Sequence, residues 1–70
     1  MTNFTEAARC EATVRLSDGT EIKIFYNAAG QNGWIDDVIG GYDPLSDDVI
    51  YWDLRGRGLG HNDNIMELVG

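Results

Sequence analysis

The sequence predicts an α+β fold, a small two-layer ββαββ-type domain whose antiparallel sheet is covered by one short helix. Three observations predict it. Residues 9 to 26 alternate polar and apolar about a Ser-Asp-Gly turn, Trp34, Ile35, Val38 and Ile39 recur at helical spacing, and Val49 to Leu54 alternate again. At 70 residues the chain has room for one small core, so residues 1–70 are read as a single acidic domain. Residues 1–8 are expected to fray or to form one turn, because Thr5-Glu6-Ala7-Ala8 is too short for a helix that stands alone.

In the first strand Cys10, Ala12, Val14 and Leu16 alternate with Arg9, Glu11, Thr13 and Arg15; in the second, Ile22, Ile24 and Tyr26 alternate with Glu21, Lys23 and Phe25. A two-residue Asp-Gly turn would set Leu16 against Glu21 and Val14 against Lys23, apolar against charged on one face. A three-residue loop of Ser17, Asp18 and left-handed Gly19 instead pairs Val14 with Ile22, Ala12 with Ile24 and Cys10 with Tyr26, and brings Arg15 to Glu21. The sequence therefore predicts the second register, with Cys10 as a small buried hydrophobe.

Residues 27 to 33 lack periodicity and read as a surface connection. The apolar group at 34–39 predicts a helix capped by Asn32 and ended by Gly40-Gly41, with a strand as the competing assignment because Ile and Val favour sheets. Asp-Pro at 43–44 opens a turn. Val49 to Leu54 forms the third strand, with Ile50, Trp52 and Leu54 toward the core and Val49, Tyr51 and Asp53 away from it. Arg55 to Asn64, rich in glycine, reads as a mobile loop, and Ile65 to Val69 as a short fourth strand. Asp-Asp-Val-Ile occurs at 36–39 and again at 47–50, but two copies at this spacing do not make a repeat architecture.

Charge narrows the choice of function. Twelve acids against five bases give −7, which disfavours direct binding to nucleic acid or an anionic membrane and favours a basic protein partner. A single cysteine rules out an intramolecular disulfide and the cysteine-rich zinc modules, so a cytoplasmic setting is the default. Val49 to Trp52 is the longest apolar run, too short for a membrane span or a signal-peptide core.

No motif carries catalysis. Gly56-Arg57-Gly58-Leu59-Gly60 lacks the following helix of a dinucleotide fingerprint, His61 reads as a solvated loop residue, and no catalytic or cofactor-binding residue is assigned. Asp43, Asp47 and Asp48 lack the glycine and the glutamate of a calcium loop, so no metal site is expected. The acidic distribution is more informative: from Ile24 to Leu54 the charged residues are Asp36, Asp37, Asp43, Asp47, Asp48 and Asp53, with no Lys or Arg. Aspartates hold charge close to the backbone, as a preorganised patch facing a basic partner requires. Phe25-Tyr26 and Tyr51-Trp52 are neighbours on strands, so one of each pair points away from the core. Phe25, Tyr51 and Val49 are thus expected on an open face suited to docking or to a homodimer.

In size and charge, though not in any alignable residue, the chain resembles the small virus-encoded proteins that disarm host defences, including anti-CRISPR proteins. That resemblance implies an inhibitor or nucleic-acid mimic acting on a basic, nucleic-acid-binding partner, in the host cytoplasm if virus-encoded. Asp36, Asp37, Asp43, Asp47, Asp48, Asp53, Tyr51 and Phe25 are the expected contact residues. The alternatives are a small ligand-binding module or enzyme using the Arg55 to Asp63 loop, and a homo-oligomeric structural subunit.

Overall fold

A computed structural model describes residues 3–69; Met1, Thr2 and Gly70, and with them the outer part of the expected frayed end, lie outside the described residues. Among the described residues one helix, α1 (Thr5–Arg9), precedes β1 (Thr13–Leu16), β2 (Glu21–Asn27), β3 (Val38–Asp43), β4 (Asp48–Trp52), β5 (Gly58–Leu59) and β6 (Ile65–Val69). The strands form one antiparallel sheet in the order β5-β4-β3-β2-β1-β6, curled into a half-barrel. This corrects the expected two-layer ββαββ arrangement. The curl itself closes the core: Phe4 and Ala8 pack with Val14, Leu16, Ile22, Ile24, Ile39, Trp52 and Ile65. The Phe4 N–H donates to the Leu54 carbonyl (2.8 Å), tying the start of the chain to the end of β4.

The first hairpin has the register expected from its side-chain pattern. Val14 lies opposite Ile22 and Arg15 opposite Glu21, and the Ile24 N–H donates to the Ala12 carbonyl at 3.0 Å. Leu16 and Thr20 close the loop, Gly19 has φ +91°, and the Thr20 N–H donates to Asp18 Oδ1 at 2.9 Å. A Cβ at Gly19 would meet nothing within 4 Å, so Gly19→Ala should cost only the left-handed conformation, about 1 kcal/mol. Chemical denaturation reads this as a lowered midpoint, and an unchanged or raised one would contradict the loop geometry.

Pairing stops short of Cys10. The helix runs to Arg9 and the chain turns at Glu11 (φ +53°), which leaves Cys10 exposed at its end, not buried opposite Tyr26. Five residues are too few for an autonomous helix, and α1 is held because Ala8, 1% exposed, and Phe4 join the core of the sheet.

The expected helix at 34–39 is absent: Trp34 to Asp37 are irregular and Val38 opens β3. Strand β3 lies between β2 and β4, so Val38, Ile39, Gly40 and Gly41 are buried on both faces. Burial on both faces removes the period-two signature and leaves an apolar cluster that also fits a helix face. Gly40 and Gly41 therefore lie within a strand. A Cβ on Gly40 would fall 2.4 Å from Phe25 Cζ, and one on Gly41 would fall 2.9 Å from Ile22 Cδ1.

Residues 53–64 are an ordered turn rather than a mobile loop. Asp53 Oδ1 accepts from the N–H groups of Arg55 (2.9 Å) and Arg57 (3.0 Å), the Ile65 N–H donates to the Gly56 carbonyl (2.7 Å), and the Gly58 N–H donates to Asn64 Oδ1 (2.8 Å). These bonds bring the β5 side of the half-barrel to the start of β6. His61 belongs to this closure, since its ring meets Trp52 edge-on at 5.5 Å and is only half-exposed. The Asp63 N–H donates to Nδ1 (3.2 Å), so Nε2 carries the hydrogen donated to the Tyr51 carbonyl (2.9 Å).

Candidate functional site

The β3–β4 hairpin divides the six aspartates into two groups. Asp43 pairs with Asp48 where the hairpin turns, and Asp47 lies between them; Asp36, Asp37 and Asp53 lie beyond the other end, where Ile39 pairs with Trp52. Five residue steps from Val38 to Asp43 set the groups about 17 Å apart along the strands. The six aspartates therefore form two separate anionic poles, not a single patch.

The pole at the turn is presented outward. Asp43 Oδ1 accepts from the Leu45 N–H (2.9 Å), Asp48 Oδ1 from the Val49 N–H (2.8 Å), and the Tyr42 hydroxyl donates to Asp47, which holds φ +56°. The second oxygen of each carboxylate has no hydrogen-bond partner among the described residues. Leu45, in the turn between Asp43 and Asp47, is 75% exposed, and the cross-strand pair Tyr42 and Val49 at the base of the turn is 50% and 38% exposed. An exposed apolar side chain in the same short turn as three hydrogen-bonded carboxylates is the strongest recognition feature of the hairpin. The Asp-Pro-Leu sequence placed Leu45 in a turn; its exposure beside Tyr42 needed the β3–β4 register.

The second pole has internal work. Asp37 accepts from the Tyr26 hydroxyl and from the Ala29 N–H (2.6 Å), and Arg9 lies 4.7 Å over the Tyr26 ring. Helix, β2 and the 28–37 connection are joined there. Asp53 organises the following turn as described, whereas Asp36 is exposed and has no side-chain hydrogen bond among the described residues. The Tyr26 hydroxyl bond, then the Ala29 bond, hold the Asp37 carboxyl below the usual carboxylate range; the same bond to Asp37 raises Tyr26. Asp18 is lowered by its bonds from Thr20.

Those shifts define the pH behaviour. Asp18 and Asp37 bind protons less tightly when folded, so their stabilisation is present above about pH 4 and is lost as pH falls through their folded values. Tyr26 binds its proton more tightly when folded, so its contribution is present below about pH 10 and is lost as pH rises through its folded value. The urea midpoint is expected to stay level between these limits and to fall on both sides. Tyr26→Phe should reduce the dependence on both limbs, and an unchanged profile would remove the Tyr26–Asp37 pair from the account.

Phe25 and Tyr51 do share a face. Both lie opposite Gly40, in one row across β2, β3 and β4, and Leu59 of β5 extends the row. The face is partly covered, however, since Trp34 packs on Tyr51 with ring centroids 5.1 Å apart and both aromatics of the row are half-buried. Asn27, 1% exposed, shapes the covering connection: its Nδ2 donates to the Gln31 carbonyl (3.2 Å) and its Oδ1 accepts from Asn32 (2.6 Å). The wide apolar patch expected of Phe25, Tyr51 and Val49 is thereby reduced to its Val49 end.

A cleft of about 250 Å³ opens near the closure of the half-barrel, lined by Arg55, Gly56, Arg57, Asn64, Ile65 and Met66. Among the described residues no group of three or more His, Cys, Asp or Glu side chains could hold a metal ion, and no helix is long and apolar enough to cross a membrane. No family model, no curated protein and no solved structure matches this chain.

Proposed function

We propose that this protein is an acidic interaction module, not an enzyme, that inhibits or modulates a basic, nucleic-acid-binding partner in the cytoplasm. The observation that carries the reading is the β3–β4 turn, where hydrogen-bonded Asp43, Asp47 and Asp48 share a six-residue turn with exposed Leu45. The six aspartates named from the sequence fall at two poles, and the pole at the turn is the docking element. It joins an apolar anchor to charges held in place before contact, so that little ordering is needed on binding. Asp36, at the far pole, and the half-buried Phe25–Tyr51 row between the poles are a secondary surface.

Binding to a captured partner should weaken as salt rises, because exposed charges are screened over about 8 Å at physiological ionic strength. Asp47→Asn with Asp48→Asn should slow association while the fold persists, since asparagine tolerates the left-handed backbone at position 47. Nucleic acid titrated against the preformed complex should displace the protein from a partner that uses the same basic surface for both. Binding indifferent to salt and to both Asn substitutions would overturn the electrostatic reading.

A further inference from the structure

The cations of the chain are unequally satisfied. Arg15 bridges Glu21 and Glu67, Lys23 faces Glu11 at 3.7 Å, and Arg9 covers Tyr26. Arg55 and Arg57, among the described residues, have neither an acidic partner nor a ring against them. Their backbone N–H groups satisfy Asp53, while both side chains are exposed beside the cleft.

Met66 adds an apolar element to this cleft. In the β1–β6 pairing Arg15 meets Glu67 and Leu16 meets Ile65, so Met66 is the extra residue of a β-bulge. A bulge re-aims a side chain, and Met66 lines the cleft while remaining 61% exposed. Two free guanidiniums beside a pliable apolar side chain suit an anionic turn that carries its own apolar residue. The chain possesses such a turn in Asp43–Asp48, with Leu45 between its carboxylates.

The two surfaces do not meet within one molecule. Strand β4 begins at the acidic turn and ends just before the arginines, a span of about 13 Å of hydrogen-bonded strand. Complementary patches on separate parts of one body pair either reciprocally in a closed dimer or through a heterologous contact that continues from copy to copy until it closes in a ring, and head-to-tail addition is the second.

We propose that the cleft between Arg55, Arg57 and Met66 receives the Asp43–Asp48 turn of a second copy of this chain, so that copies add head to tail. This goes beyond the basic-partner reading and does not depend on it. Arg55 and Arg57 pair with the carboxylate oxygens of the incoming turn, and Leu45 lies against Met66. The charges are at the surface, so association is salt-sensitive and reversible.

Sedimentation of the purified chain from micromolar to millimolar concentration tests this without any other partner. The average mass should rise continuously with concentration, without a plateau at a dimer. It should fall by raising salt from about 0.15 M to about 1 M, where the screening length drops from about 8 to 3 Å. Arg55→Glu/Arg57→Glu and, separately, Ser46→Lys/Asp48→Lys should each remain monomeric, with circular dichroism reporting an intact fold. Mixing the two variants should restore association, because the first retains a native acidic turn and the second a native cleft. A wild type that stays monomeric throughout or stops at a dimer, an arginine variant that still assembles, or a mixture that does not associate would each overturn the proposal. Both contacts would use the Asp43–Asp48 turn, so binding to a basic partner is measured separately, at concentrations where the chain sediments as a monomer; loss of self-association leaves that binding intact, and loss of that binding leaves self-association intact.

Discussion

Replacing Trp52 by alanine should remove about 3–5 kcal/mol of stability, the range for truncating a large buried aromatic. A chain of this length has a total of only about 4–10 kcal/mol, so the variant is expected near its unfolding midpoint at room temperature. Trp52 has no exposed surface, touches the closure through His61, and donates from Nε1 to the Asp63 carbonyl at 2.6 Å. Trp52→Phe retains much of the ring but leaves that carbonyl without its donor, a smaller cost of about 1–3 kcal/mol. Urea denaturation followed by circular dichroism orders the three proteins. A loss below about 1 kcal/mol for alanine would mean that Trp52 does not hold the half-barrel together.

Gly56→Ala is expected to cost about 2–4 kcal/mol from two sources. Its φ of +88° disfavours any side chain, and a Cβ would fall 2.8 Å from the ring of Phe4 and 3.1 Å from Ile65 Cβ. Gly19 has a similar φ with open space around it, so the difference between Gly19→Ala and Gly56→Ala isolates the steric part. Phe4→Leu combined with Gly56→Ala should lose less stability than the two single changes summed, the sign expected of residues in contact. Additive losses would show that Phe4 does not press on Gly56.

Local chemistry made the first hairpin readable. Apolar and polar residues alternate on both strands, so only one register avoids setting charge against hydrophobe, and that register requires a left-handed residue where Gly19 stands. The acidic turn at Asp43 was readable for the same reason, since Asp-Pro commits the backbone within a few residues. Arg9 and Cys10 were misread as strand because the short helix before them has no local stability and takes its support from core residues distant in sequence. Trp34 to Ile39 misled in the opposite direction: one face of Gly40 lies under Phe25, and neither glycine in the pair ends a helix.

By itself the sequence determined the acidic charge, the first hairpin with its Gly19 loop, and the strand character of 49–52, because these depend on composition, alternation and turn residues that act over a few positions. Only the tertiary structure decided that β3 lies between two strands, that six aspartates form two poles, that Trp34 covers Tyr51, and that Arg55, Arg57 and Met66 border one cleft. The physical reason is range. Pairing β1 with β6 and joining Gly56 to Ile65 bring together residues whose positions along the chain carry no local signal of one another, and burial on both faces erases the periodicity that would have revealed the central strand.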